Sequence, residues 1–272
     1  MQKFLSIVII IFMFSSIVYA KTYARIISLA PAVTKSLYEL GIDEELLGIT
    51  SFCPKGKSKK EIIGNLLEPD LEKIISLKPD LIIASKEGNS KVLVEKLQRA
   101  GFLIYSMEMS ENFEELCENF YQLAKALDKD KMAQNIIQKA KEQIDEIAKA
   151  ARSREIKTVF WEIGDKPLYT AGSRSFLNSY NKYTNTKNVY ENLKVRYSPI
   201  DIEDILMRNP DIIIAADMDG NDEAQIKSFW EKYQTIKAVK NKRIYVLSAD
   251  DLFGLTPSIF AKTLKKIYFL AP

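Results

Sequence analysis

Leu71-Glu-Lys-Ile-Ile-Ser-Leu-Lys-Pro-Asp-Leu-Ile-Ile-Ala-Ser85 returns half a chain later as Ile202-Glu-Asp-Ile-Leu-Met-Arg-Asn-Pro-Asp-Ile-Ile-Ile-Ala-Ala216. The copies stand 131 residues apart (Leu71 against Ile202) without a gap, and seven of fifteen positions are identical. Each reads as a short amphipathic helix, stopped at Pro79 or Pro210 because proline has no N–H to continue the ladder. Each then runs into a strand that is apolar at every position. Such a strand belongs in a parallel sheet covered on both faces. Two copies of one helix–Pro-Asp–strand unit therefore predict two lobes of similar build.

Outward from the repeat, the alternation of strand and helix continues. Arg25–Leu29 reads as a strand, and Ala30-Pro31 opens a helix carrying Val33, Leu37 and Leu40, with Gly41 just past its end. Leu46–Thr50 is a second strand, followed by a lysine-rich loop at 51–60. After the first copy, residues 129–154 contain neither Gly nor Pro, and Met132, Ile136, Ile137, Ile144 and Ile147 fall at helical spacing. A helix of that length spans roughly 35–40 Å. Beyond it, Thr158–Trp161 and Arg243–Leu247 read as strands. Ser175–Tyr183, Glu223–Ile236 and Ser258–Leu270 read as helices. The expected fold is α/β: an N-terminal lobe over 21–128, one long connecting helix over 129–155, and a C-terminal lobe over 156–272, with a ligand cleft between the lobes.

Residues 1–20 read as a signal peptide: Lys3, an apolar run from Phe4 to Val18, and Val18-Tyr-Ala20 before the cut. The fifteen-residue run is shorter than the ~20 residues of a spanning helix. Lys21, not a cysteine, follows Ala20, so no lipid anchor is expected and the mature chain belongs in a periplasm.

Composition narrows function further. The net charge is +3 and basic residues are interspersed with acidic ones, so no nucleic-acid stripe is present. The sequence contains no histidine, which removes Ser-His-Asp and Cys-His chemistry and the commonest transition-metal ligand. No metal site is expected. Of the two cysteines, Cys117 falls on an apolar helical face; a Cys53–Cys117 bridge is left open. A carboxylate enzyme using Glu162 with Asp165, or Asp217 with Asp219, and a ligand-binding sensor stand as alternatives to a transport role. The acidic loop Asp217–Asp222 also reads as a surface turn or a calcium site.

Three segments resemble one family. Arg25-Ile-Ile-Ser-Leu-Ala-Pro-Ala-Val-Thr34, the first copy of the repeat, and Pro167-Leu-Tyr-Thr-Ala-Gly-Ser173 are similar to periplasmic binding proteins for vitamin B12, haem and iron-siderophores. The resemblance implies two Rossmann-like lobes with a stiff helical connection, and a non-enzymatic, monomeric carrier for an ABC importer, without a cofactor of its own. The transported ligand it implies is a cobalt corrinoid or, next, a ferric siderophore. It also implies that one glutamate per lobe, here Glu72 and Glu203, meets the permease dimer. Taken alone, a first-turn carboxylate is also a helix-dipole partner.

The ligand is expected outside the carboxyl ends of the strands, as in open α/β sheets. The candidate residues there are Pro31, Phe52, Lys86, Trp161, Tyr169, Arg174, Tyr197 and Phe253. Phe52, Trp161, Tyr169 and Phe253 offer flat rings for a corrin or porphyrin face. Pro31 opens a helix whose N–H groups suit a carboxylate or amide. Arg174 and Lys86, with Lys55, are cations for an anionic chelate. Haem would need Tyr169 or Tyr197 as its ligand, or no protein ligand.

Overall fold

The computed structural model describes residues 22–218 and 223–271. The expected signal peptide, and Asp219 of the acidic loop, lie outside them.

The first lobe contains β1 (Ile26–Ser28), α1 (Pro31–Glu39), β2 (Leu46–Ile49), β3 (Glu61–Ile62), α2 (Leu71–Ser76), β4 (Leu81–Ser85), α3 (Lys91–Arg99) and β5 (Ile104–Met107). Its strands form a parallel sheet in the order β3-β2-β1-β4-β5. Two helices follow, α4 (Phe113–Ala126) and α5 (Asp130–Ala151). The second lobe starts with β6 (Lys157–Asp165), β7 (Leu168–Ala171), α6 (Asn178–Thr184), β8 (Thr186–Asn188), β9 (Tyr197–Pro199) and α7 (Ile202–Arg208). It ends with β10 (Ile212–Asp217), α8 (Glu223–Trp230), α9 (Lys237–Lys240), β11 (Ile244–Ser248), α10 (Ala249–Phe253) and α11 (Pro257–Leu270). Its sheet runs β11-β10-β6-β7-β9, with β8 beside β6 and only β7 antiparallel to its neighbours.

The repeat behaves as its apolar strands demand. In β4, Leu81 and Ile83 enter one buried cluster while Ile82 and Ala84 enter another on the opposite face. In β10, Ile212, Ile214 and Ala216 face one core and Ile213 the other. Both helices end on a left-handed residue directly before the proline, Lys78 (φ 45°) and Asn209 (φ 46°). That turn drops the chain from helix to strand within two residues.

The connecting helix α5 is 22 residues long, about 33 Å. It is accompanied by α4, which crosses between the lobes as well. Phe113, Leu116 and Cys117 at the start of α4 join the core of the second lobe, whereas Phe120, Leu123, Ala124 and Leu127 join the first. In α5, Ala133 belongs to the first core and Ala140, Ile144 and Ile147 to the second. Phe260 of α11 stacks between Phe113 (centroids 4.8 Å) and Tyr180 (4.7 Å). These shared apolar contacts make bending costly, since interiors pack at crystal-like density.

The short strands β7, β8 and β9 are not readable as strands, because, unlike β1 and β2, they carry neither a continuous apolar run nor a resolvable period. The helix expected over Glu223–Ile236 stops at Trp230. Trp230 and Ile236 both enter the core beneath β6, and a turn with Ile236 N–H bonded to the Tyr233 carbonyl at 3.0 Å brings them there.

Candidate functional site

The loops after β1, β4 and β5 of the first lobe meet those around β7, β9 and β11 of the second. Asn89, almost fully buried, organises the first-lobe side. Its Nδ2 donates to the carbonyls of Leu29 (3.2 Å) and Leu66 (3.1 Å), and its Oδ1 accepts from Ser85 N–H (2.9 Å). Three loops are thereby tied at one point. Pro31 is the first residue of α1 and half-buried, with no side-chain cap at Ala30.

On the second-lobe side, Gly172 lets two segments touch. A Cβ there would lie 2.3 Å from the Val195 carbonyl oxygen and 2.6 Å from that of Leu193. The close approach is held by Gly172 N–H to the Arg196 carbonyl (2.9 Å) and Arg174 N–H to that of Val195 (3.2 Å). It brings two guanidinium groups, Arg174 and Arg196, to the same edge. Carboxylates from the other lobe compensate them. Arg174 Nη2 lies 2.6 Å and its Nε 3.1 Å from Glu111 Oε1. Arg196 Nη1 lies 2.9 Å from Glu87 Oε1, and its Nη2 3.9 Å from Glu111. The hydrogen bond from Arg174 holds the Glu111 carboxyl below its ordinary range.

Further along the same face, Lys35 of α1 reaches Asp250 of α10 at 2.9 Å, and Thr256 Oγ1 donates to Glu39 Oε1 at 2.5 Å. Lys86 forms an ion pair with Glu108. Arg174 and Lys86, expected to face an anionic chelate, are therefore both engaged by the protein's own carboxylates. Arg196, Glu87 and Glu111 escaped the sequence reading because their pairing spans 109 and 63 residues.

The aromatic candidates divide. Phe52 is 73% exposed and Tyr169 37%, so both rings present free surface. Tyr197 and Phe253 come together edge to face with centroids 6.5 Å apart, half-buried at the margin of the second core. Burial, with Glu87 nearby, raises the Tyr197 phenol pKa. Trp161 corrects the expectation of a cleft ring. It is 1% exposed, its Nε1 donates to Asn181 Oδ1 at 2.9 Å, and it lies in the core against Tyr180. Its strand position points it to the covered face of β6.

Of the first carboxylate pair of the enzyme alternative, one member is enclosed and the other lies at the surface. Glu162 is buried and accepts from Trp230 Nε1 at 2.6 Å, while Asp165 lies beside Lys166 at 3.5 Å. Burial pushes the Glu162 carboxyl up to about 7. Cys53 and Cys117 are both free and buried, in separate cores. Among the described residues no cluster of three or more Cys, Asp or Glu is arranged to hold a metal. Two depressions of about 390 and 300 Å³ lie on the second lobe around Lys187, Asn188 and Glu191, the second reaching Ser173 beside Arg174.

Glu72 and Glu203 are each the second residue of their helix, and both are exposed. Asp70 caps α2 through Glu72 and Lys73 N–H groups at 3.0 and 3.1 Å, but Asp201, at the same place before α7, makes no side-chain cap bond.

The chain is similar throughout to proteins of known class. It is 27% identical over 260 residues to the vitamin B12-binding protein of Vibrio vulnificus, covering 94% of this chain and 93% of that one. An uncharacterized ABC transporter substrate-binding lipoprotein of Bacillus subtilis is 29% identical over 234 residues, covering 83% and 73%. The crystal structure of a possible iron-binding, periplasmic solute-binding protein from Staphylococcus epidermidis superposes with a TM-score of 0.81 at 27% identity, covering 92% of this chain and 99% of that one. The family described as periplasmic binding protein matches residues 26–250, and with its two lobes, helical connection and inter-lobe face the chain belongs to that family as a binding protein, not an enzyme.

Proposed function

We propose that this protein captures a metal chelate between its lobes, a cobalt corrinoid first and a ferric siderophore next, and delivers it to the permease of an ABC importer. Membership of the family and the B12-binding and iron-binding names of its relatives support the ligand class. Phe52 and Tyr169 supply exposed rings for a macrocycle, and the half-buried Tyr197 and Phe253 add an edge-to-face pair. The protein brings no cofactor of its own in this reading.

The observation that carries the delivery step is the equivalence of Glu72 and Glu203. Each is exposed at one position of a repeated unit, one per lobe, and each has an exposed apolar neighbour on its own helix, Ile75 (55%) and Met207 (78%). Two like-charged points on matched frames suit a partner with two equivalent basic sites, and long-range attraction would orient the encounter. The carrier works as a monomer, exported by residues 1–20 to a periplasm and cut after Ala20.

The test is calorimetric titration of the purified protein with cyanocobalamin, haem, an uncharged ferric tris-hydroxamate and a ferric tris-catecholate. Saturable binding of at least one chelate at about micromolar affinity (~−8 kcal/mol) is expected. Failure to bind any of the four overturns the reading.

A further inference from the structure

Four cations stand on the inter-lobe face, and each already has a carboxylate: Lys35 with Asp250, Lys86 with Glu108, Arg174 with Glu111, and Arg196 with Glu87 and Glu111. Four positive charges thus meet four paired carboxylates, and Glu39, bonded to Thr256, adds a fifth carboxyl to the face. Three of these pairings cross from one lobe to the other, and the Gly172 contact forces two of the arginines into proximity. Lys55, exposed in the loop that carries Phe52, lies outside this balance and adds a single positive charge.

From this arrangement we infer that Glu87 and Glu111 are specificity-determining residues that reject anionic chelates and reserve the cleft for chelates without net charge. The inference rests on the chelate-carrier function proposed above. An anion seeking Arg174 or Arg196 must displace a carboxylate that its own lobe arrangement holds against the guanidinium. The displaced glutamate, only partly covered, then remains at the same inter-lobe edge as the incoming anion. That like-charge contact penalises the anion specifically, which is how a binding site discriminates by repulsion as well as by fit. An uncharged chelate leaves the pairs intact and draws its affinity from the exposed rings of Phe52 and Tyr169.

The balance is reversible by substitution. Glu87→Gln with Glu111→Gln keeps size and hydrogen-bonding capacity but frees both arginines, so the cleft acquires two net positive charges and should accept what it formerly excluded.

The experiment titrates wild type and the E87Q/E111Q protein with three probes: cyanocobalamin, an uncharged ferric tris-hydroxamate and the trianionic ferric tris-catecholate. Wild type is expected to bind an uncharged probe at least about 100-fold more tightly than the trianion, and the double variant to gain at least about tenfold for the trianion. The variant's affinity for the uncharged probe should change by less than about threefold. Equal wild-type affinity for the trianion and the uncharged probes overturns this inference while leaving the carrier function standing. So does a folded double variant that gains nothing for the trianion. Absence of binding to all three probes overturns both. Should the double variant fail to fold, the wild-type comparison decides alone.

Discussion

Asp80 and Asp211 perform the same task in the two lobes. Asp80 accepts from the N–H groups of Ala24 (2.8 Å) and Arg25 (3.1 Å), and its own N–H donates to the Arg25 carbonyl at 3.0 Å. Asp211 accepts from Thr158 N–H (2.9 Å) and Thr158 Oγ1 (2.8 Å), and its N–H donates to the Thr158 carbonyl at 3.1 Å. Each aspartate thereby ties the start of the lobe's first strand to the repeated strand beside it. Although burial alone would raise it, the bonds from Thr158 hold the Asp211 carboxyl below its ordinary range. Asp211→Ala should cost about 1–3 kcal/mol by leaving Thr158 donors unmet, and Asp80→Ala, at an exposed site, less. Urea denaturation of both variants checks the order. Asp211's contribution is present above the ordinary aspartate range and is lost as pH falls through its lowered folded value.

Reversing the two charges proposed to meet the permease, Glu72→Lys with Glu203→Lys, should abolish chelate uptake into cells lacking the wild-type gene. Ligand affinity should stay within about twofold, because exposed side chains remote from the ligand contribute little. Lost ligand affinity in a folded variant would place these glutamates on the wrong surface.

Trp161 and Trp230 are both essentially fully buried, so neither reports ligand by direct contact. Trp161→Phe should leave affinity unchanged, with a stability loss of about 1–3 kcal/mol from the vacated space and the unpaired Asn181. Phe52→Ala should do the opposite: stability within ~0.5 kcal/mol of wild type, and chelate binding weakened by about tenfold. Melting curves and titrations on the two variants separate the roles.

Glu162 should make the fold less stable as pH rises. Its folded carboxyl titrates near 7 against an ordinary 4.5, because burial outweighs the Trp230 hydrogen bond, with Asp165 adding to the rise. The stability associated with its protonated form is complete below 4.5 and lost as pH climbs through 7. Glu39, raised by burial, adds a slope of the same sign. Glu162→Gln should flatten the pH 5–8 stability profile by on the order of 1–3 kcal/mol. A wild-type profile with no decline over that range contradicts the assignment.

Both thiols should be inert in the native protein. Burial pushes the Cys117 thiol up to about 12, and Cys53 is nearly as enclosed. A thiol reagent should titrate neither in buffer and both in denaturant; a disulfide would leave none in either.

The two lobes were legible in the sequence because an all-apolar strand has one stable environment, a sheet covered on both faces. Leu81–Ala84 and Ile212–Ala216 declare this residue by residue. The breaker-free helix over Asp130–Ala151 was equally plain, as was the matched placement of Glu72 and Glu203, which follows from local register alone. Tertiary structure decided the rest. Whether an aromatic faces core or solvent depends on what the fold packs against it, and so Trp161 on β6 goes inward while Phe52, in the loop after β2, stays out. The role of α4 as a second bridge depends on which core each of its turns meets. The charge of the inter-lobe face depends on pairs such as Arg196 with Glu87, joined across 109 residues. Local periodicity is set by neighbours along the chain, whereas charge compensation is set by whatever the folded chain brings within a few ångströms.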